Sequence, residues 1–459
     1  MTDRSPPQDC DLLICNGLLL TADPAGTAIY DGAIAIAGTR IIAIGKSNDI
    51  RRRFSPRETL DAGGGIVHPG FIDAHVHISQ YTSRSVLPLM AGTQVTMGDW
   101  KAALTPEDEH ASAMLAAVDY LRSGYTGFVD PGTIFEPDAV AAVAEKIGIR
   151  IWLTDPYVAD RGETLRAQGA ELVSDAFLAR WPKDTDAALK RLGTQLHRNR
   201  VADSLVKAFI GLYGEQTASD DLYSAALSMA RASNVQFQQH LGYLPATYRQ
   251  REAELGQSII SHLAESDRLG GDVTFIHLNV VHDQDIDRLA AASVKLVWCP
   301  AGQLQMIGKG GAAPRTGPLH RAGISIGLAS DIPRNASFTA MGALASAALA
   351  AQGSALSAQD ILRMRTVEAA ASVGASAEVG SLQAGNLADV VVRRPSSPSN
   401  LGLDPHHELA ILGGGDVAHV VVGGRVVLAD GHLIHANPGT ALQIARASVR
   451  GLASRLGLA

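Results

Sequence analysis

Eight short apolar segments separated by helical stretches run through the middle of this chain, and their alternation limits the folds open to it. They are Ile66–Ala74, Thr126–Asp130, Ile149–Thr154, Leu205–Gly211, Val235–Gln239, Val273–Ile276, Val294–Trp298 and Ser325–Ala329. Each has the length of a buried strand, and the gaps carry helical periodicity. Over Asp108–Leu121, Ala111, Met114, Leu115 and Val118 fall on one face; over Asp221–Arg231, Leu222, Ala225, Ala226 and Met229 do the same. Eight βα units in about 300 residues fit an α/β (β/α)8 TIM barrel, typically about 250 residues long. A doubly wound sheet is the competing arrangement.

The two ends of the chain read differently. Leu12–Cys15, Leu18–Thr21, Ala33–Ala37 and Arg40–Ile44 are short strands with turns, and strands return in Ala388–Arg393 and His419–Leu428, where Gly423-Gly424 signals a hairpin. The expected organisation is a small β-sandwich domain built from both ends, residues 1–65 and 373–459, around a barrel over residues 66–372. A C-terminal helix closes the chain. One long insertion, Val158 to Val201, follows the third strand, where loops line the active site of such a barrel; it is a lid, a pocket wall or an outer helix.

With 459 residues, 46% hydrophobic and 19% charged, the chain can bury a large core. A net charge of −7 and a pI near 6.1, without a basic stripe, argue against nucleic acid as partner. The N-terminus is polar and no apolar run reaches the roughly 18 residues of a spanning helix, so neither secretion nor a membrane is expected and the cytoplasm is the default. Cys10, Cys15 and Cys299 lack metal or redox spacing and read as buried thiols. The expected partner is a small-molecule substrate, and the expected assembly a homo-oligomer.

His75 and His77 close the first strand-like segment. Residues i and i+2 of a strand point to one face, so both imidazoles enter one space, as a shared metal ion requires. Alone, the pair is equally two solvated histidines. Four further residues with ligand chemistry stand at or near strand ends: Lys207, His240, His277 and Asp331. In a barrel, strands remote in sequence converge on one mouth, so these residues surround one point.

Pro69-Gly-Phe-Ile-Asp-Ala-His-Val-His77, His240, Thr274-Phe-Ile-His277 and Gly327-Leu-Ala-Ser-Asp331 give the chain a family resemblance. It resembles the metal-dependent amidohydrolase superfamily over nearly its whole length, since Gly380–Asp389 is similar to that family's return into the β-sandwich. Order and spacing are most similar to the branch of cytosine deaminase and the s-triazine hydrolases. The resemblance implies Zn2+ or another divalent transition metal, one or two per chain, held among His75, His77, His240, His277 and Asp331.

Neutral imidazoles and a carboxylate suit such an ion, which lowers the pKa of bound water from 15.7 toward about 7. Asp331 is then general base and acid, and His277 polarises the substrate or binds a second metal. The implied enzyme uses a metal-bound hydroxide to cleave a non-peptide C–N bond. The deaminase branch has a glutamate three residues after the fifth-strand histidine; here Tyr243 stands there, and a phenol with pKa near 10 is a poor substitute. That favours an amide, urea or carbamate, in the manner of phenylurea and thiocarbamate hydrolases, over the alternative, an aminohydrolase of a pyrimidine, purine or triazine. A catalytically silent binding protein would be expected to have lost ligands.

Val206-Lys-Ala-Phe-Ile is similar to the fourth strand of binuclear relatives whose lysine is carboxylated and bridges two metals. Lys207 is accordingly either such a bridge or an ordinary cation. Tyr157, Tyr213, Glu215, Tyr243 and Trp298 follow or end strands near the mouth and are candidate substrate contacts. Glu215 is the candidate replacement acid.

Overall fold

The computed structural model describes residues 6–169, 173–307, 315–333, 337–351, 353–394, 404–413 and 415–458. Eight parallel strands run Phe71–Asp73, Tyr125–Val129, Arg150–Leu153, a fourth in two pieces (Val206–Ala208 and Ile210–Gly214), Phe237–Leu241, Val273–His277, Lys295–Trp298 and Ile326–Leu328. Phe209 joins the two pieces. Its N–H donates to Leu153 O at 3.0 Å, and the next N–H, of Ile210, donates to Gln236 O at 3.0 Å, carrying the sheet from one half of the barrel to the other. Closure comes where Ala74 N donates to Leu328 O at 3.1 Å and Asp331 N to His75 O at 3.0 Å.

Strand alternation then sorts the core. Ile72, Val129, Phe209, Ile276 and Val297 fill the interior, while Phe128, Ile151 and Phe275 pack outward with the helices. Helix Pro106–Arg122 starts where the sequence is built to start one: Thr105 and Asp108 form a reciprocal capping box and Pro106 occupies the first turn. Its predicted apolar face, Ala111, Met114, Leu115 and Val118, is buried.

The expected strand Ile66–Ala74 divides at Gly70. Ile66–Pro69 pairs with Leu18–Leu19 and antiparallel with Val390–Val392, so it belongs to the sheet of the chain ends. Only Phe71–Asp73 enters the barrel. The reason is local: Pro69 lacks a ladder N–H, and a side chain at Gly70 would meet Thr126 Oγ1 at 2.0 Å. The two ends meet in one nine-stranded sheet, ordered His432–Leu433, Arg425–Ala429, Val417–Val422, Val390–Arg393, Ile66–Pro69, Gln8–Leu20, Ala28–Ala37 and Arg40–Lys46, with Phe54–Asp61 beside Gln8–Leu20. Gly423 and Gly424 adopt φ of 53° and 77° in its predicted hairpin. Cys10, Cys15 and Cys299 are buried free thiols.

This sheet docks where the barrel strands begin. Arg150, first residue of the third strand, makes a buried bidentate pair with Asp389, Nε to Oδ2 and Nη2 to Oδ1, both 2.8 Å. Arg393 Nε donates to His68 Nε2 at 2.9 Å. The C-terminal helix Pro438–Arg455 lies against Pro106–Arg122, held by Ser448 Oγ on Asp108 Oδ1 at 2.6 Å. Among the described residues no helix is long and apolar enough to cross a membrane.

Candidate metal centre

His75, His77, His240, His277 and Asp331 come together at the barrel mouth. His75 Nε2 lies 3.3 Å from His77 Nε2, and Asp331 Oδ1 lies 3.2 Å from His77 Nε2 and 3.8 Å from His75 Nε2. The ring of His240 is 4.8 Å from that of His75 and 5.5 Å from that of His277. The backbone holds this arrangement. Besides Asp331 N on His75 O, His77 N donates to Asp331 O at 2.8 Å, so first and eighth strands are locked through the ligands themselves. His277 and Asp331 adopt left-handed φ of 77° and 61°, a costly backbone for residues other than glycine that gathers at functional sites.

Below the ligands, Asp73 clasps the strand ends. It accepts from Ser330 N at 3.0 Å, His75 N at 3.3 Å and Tyr120 Oη at 2.6 Å. Asp130, from the second strand, accepts from Ile78 N at 3.0 Å and fixes the chain leaving His77.

The electrostatics fit a cation. Burial, reinforced by the neighbouring imidazoles, holds His75 and His240 well below the usual histidine value, and burial brings His277 down to about 4. Burial alone would raise Asp331; its hydrogen bond with His77 and the surrounding imidazoles overturn this and bring it to about 2. The centre therefore presents the neutral imidazoles of His75, His240 and His277 beside one ionised carboxylate, donors that suit zinc-like ions. His240 Nδ1 donates to Tyr213 O at 2.5 Å, which leaves the lone pair on Nε2. The Nδ1 atoms of His75, His77 and His277 are buried without hydrogen-bond partners. Ligand atoms of His75, His77 and His240 lie within 4.8 Å of one another, as do those of His75, His277 and Cys299. Burial raises the Cys299 thiol well above its ordinary value, so the first set is the better one.

Lys207 is not part of this centre. Its Nζ donates to Val201 O at 2.6 Å, and the residue lines a different cleft with Trp152, Gln236 and Glu378. Phe209 faces the barrel interior, but the fourth strand runs on to Gly214, which leaves Lys207 at its start and at the opposite end of the barrel. Tyr157 and Trp298 are also withdrawn from the pocket. Tyr157 donates to Thr133 O at 2.9 Å within an aromatic cluster of Phe135, Phe177 and Trp181, and Trp298 Nε1 donates to Gln303 Oε1 at 2.6 Å.

Tyr213, Glu215 and Tyr243 do line the cleft above the centre, a cavity of about 160 Å³. Tyr243 packs its ring 4.5 Å from that of His277. Glu215 accepts from Gly242 N at 3.2 Å, and burial pushes its carboxyl up to about 7. Leu165 and Val173 bring the Val158–Val201 insertion into the wall, as one of its expected roles.

Among the lining residues that the sequence did not single out are Gln80 and Lys101. Both lie in the loop after the first strand, where no periodicity marks them. Gln80 Oε1 is buried without a partner.

A model of the amidohydrolase family matches residues 66–427. The chain belongs to the amidohydrolase family. It is 28% identical over 441 residues to the 5-methylthioadenosine/S-adenosylhomocysteine deaminase of Syntrophobacter fumaroxidans, covering 93% of this chain and 95% of that protein. It is 25% identical over 436 residues to the 5'-deoxyadenosine deaminase of Methanosarcina mazei, covering 92% and 93%. Its fold is similar to that of a zinc-bound adenosine deaminase from Xanthomonas campestris, with TM-score 0.82, 22% identity and coverage of 98% and 100%. The zinc-complexed atrazine chlorohydrolase of Arthrobacter aurescens gives TM-score 0.79, 22% identity and coverage of 95% and 100%. As an amidohydrolase the chain is a metal-dependent hydrolase of carbon–nitrogen bonds other than peptide bonds.

Proposed function

We propose that this amidohydrolase opens an amide, urea or carbamate C–N bond in a small organic molecule, with His75, His77, His240 and Asp331 holding one divalent ion. Zinc is the proposed ion, as in the structural neighbours. When bound, such an ion supplies Lewis acidity and lowers the pKa of water toward about 7. Asp331, ionised and 3.2 Å from His77, accepts the proton of the attacking water and returns it to the leaving nitrogen. His277 faces the substrate carbonyl, with Tyr243 packed against its ring. Cytoplasmic location and a homo-oligomer belong to the same proposal.

The observation that carries this reading is the tyrosine over His277: the position of the expected proton-shuttling glutamate holds a phenol, so the reaction that needs no second shuttle on a ring nitrogen is favoured. Tyr243→Phe is expected to slow turnover less than about tenfold, against the 10²–10⁴ of a lost general base. A second reading, ammonia release from a heteroaromatic ring, is supported by the deaminase relatives and by Glu215, a carboxyl in the cleft wall held near neutral pKa by burial. Measuring amine release from anilides and phenylureas beside ammonia release from adenine nucleosides, pyrimidines and triazines separates the two. Ammonia release alone would replace the first reading by the second.

A further inference from the structure

The helix Pro106–Arg122 grips the segment carrying His75 and His77 from both sides. Before His75, the fully buried Asp73 accepts from Tyr120 Oη at 2.6 Å on Oδ2, and from His75 N and Ser330 N at 3.3 and 3.0 Å on Oδ1. Ser330 immediately precedes Asp331. One carboxyl therefore fixes the backbone at a ligand of the first strand and beside a ligand of the eighth. After His77, Tyr81 Oη donates to Asp119 Oδ2, and Ser112 Oγ donates to Ile78 O at 2.8 Å. Ser112, Asp119 and Tyr120 all belong to that helix.

The Tyr120 hydroxyl has little freedom to move. Its ring is fully buried, with centroids 4.5 Å from Phe338, 5.2 Å from Tyr125 and 5.6 Å from Phe128. Packing alone does not call for an oxygen there: phenylalanine fills the same space, and taking a hydroxyl out of water is unfavourable unless a partner receives it. The partner is Asp73.

We infer that Tyr120 is a positioning residue of the metal centre, acting through Asp73 to set where His75 and Asp331 stand. It does not line the cleft and touches no reacting atom. Partners one step outside the ligands commonly govern metal affinity or activity by about 10–100-fold. Without the hydroxyl, Asp73 Oδ2 loses its donor inside the protein, and the carboxyl no longer has a fixed angle at which to hold the N–H groups on Oδ1. The inference rests on the proposed zinc site and not on which C–N bond is opened.

The test compares Tyr120→Phe with Tyr125→Phe. Each removes a buried phenol oxygen from the same aromatic cluster, but Tyr125 Oη donates to Phe338 O at 2.8 Å and not to Asp73. Zinc affinity is measured by chelator competition, the visible absorption of the cobalt-substituted protein is recorded, and thermal midpoint, kcat and KM are taken in parallel. Tyr120→Phe is expected to weaken zinc binding by about tenfold or more, shift the cobalt bands, and lower kcat with KM near the wild type. Tyr125→Phe should keep the wild-type zinc affinity and cobalt spectrum even where its thermal midpoint falls as far. In an Asp73→Ala background, Tyr120→Phe should weaken zinc binding no further. Wild-type affinity and spectrum in Tyr120→Phe, equal losses in the two tyrosine variants, or an undiminished further loss in the Asp73→Ala background each overturn the inference. Because both metals are read without substrate, a wild type that hydrolyses no anilide and releases only ammonia counts against the proposed reaction alone.

Discussion

The two ends of the barrel use their histidines and charged side chains differently. At the mouth, Nδ1 of His75, His77 and His277 and Oε1 of Gln80 are buried without hydrogen-bond partners. Where the strands begin, Arg150 is matched to Asp389 by two bonds of 2.8 Å, Arg393 to His68, and Lys207 to Val201 O. Unmatched buried atoms also occur toward the strand starts, at Thr126 Oγ1, Gln238 Oε1 and Arg365 Nε, so what sets the mouth apart is four histidines gathered around the Asp331 carboxylate. The difference separates the working end of this amidohydrolase from the end that holds its sheet to its barrel. Residue type alone does not make that separation, since each end carries histidine, aspartate and cation.

The comparison breaks most readily at Asp331. Asp331→Asn removes the carboxylate that is both ion ligand and proton acceptor, and kcat/KM is expected to fall by about 10²–10⁴ with the fold retained by circular dichroism. Wild-type turnover in that variant would move the chemistry elsewhere. At the other end, Asp389→Asn leaves the Arg150 guanidinium buried and half-matched. Breaking a buried pair costs about 3–5 kcal/mol. Denaturant unfolding should show that loss, while the metal content of the folded fraction stays at the wild-type level; loss of the ion would join the two ends functionally.

A smaller effect follows from Glu109, a carboxyl on the helix after the first strand that accepts from Phe135 N and Glu136 N at 2.8 and 2.7 Å. Burial pushes it up to about 8. Its folded value is above its unfolded one, so it contributes stability fully present below the ordinary carboxylate range near 4.3 and lost as pH rises to about 8. The melting temperature of wild type relative to Glu109→Gln should therefore fall steadily between pH 5 and 8. A difference constant with pH would remove Glu109 from the titrating groups.

What could be read from sequence follows the range of the signal. His75, His77, His240, His277 and Asp331 stand at ends of strands whose apolar runs are local features, and the barrel's closure does the rest. The depth of Lys207 depends on where the fourth strand stops. That is set by the register of Ile210–Gly214 against Phe237–His240, a tertiary pairing that no local pattern reports. The side chains of Tyr157 and Trp298 turn to partners in Thr133 and Gln303, which proximity to a strand end does not disclose. Gln80 and Lys101 lie in irregular or short helical segments of a long loop, so only the folded cleft brings them into view. The division at Gly70 required knowing that Thr126 lies across from it.

The central claim is that the mouth holds one ion and the floor none. Metal analysis of zinc-reconstituted wild type and Lys207→Ala, with bicarbonate present, tests it directly. The geometry predicts one ion per chain in both, because Lys207 reaches Val201 O and not the histidines. Two ions in the wild type falling to one or none in Lys207→Ala would contradict it and restore a carboxylated lysine to the centre.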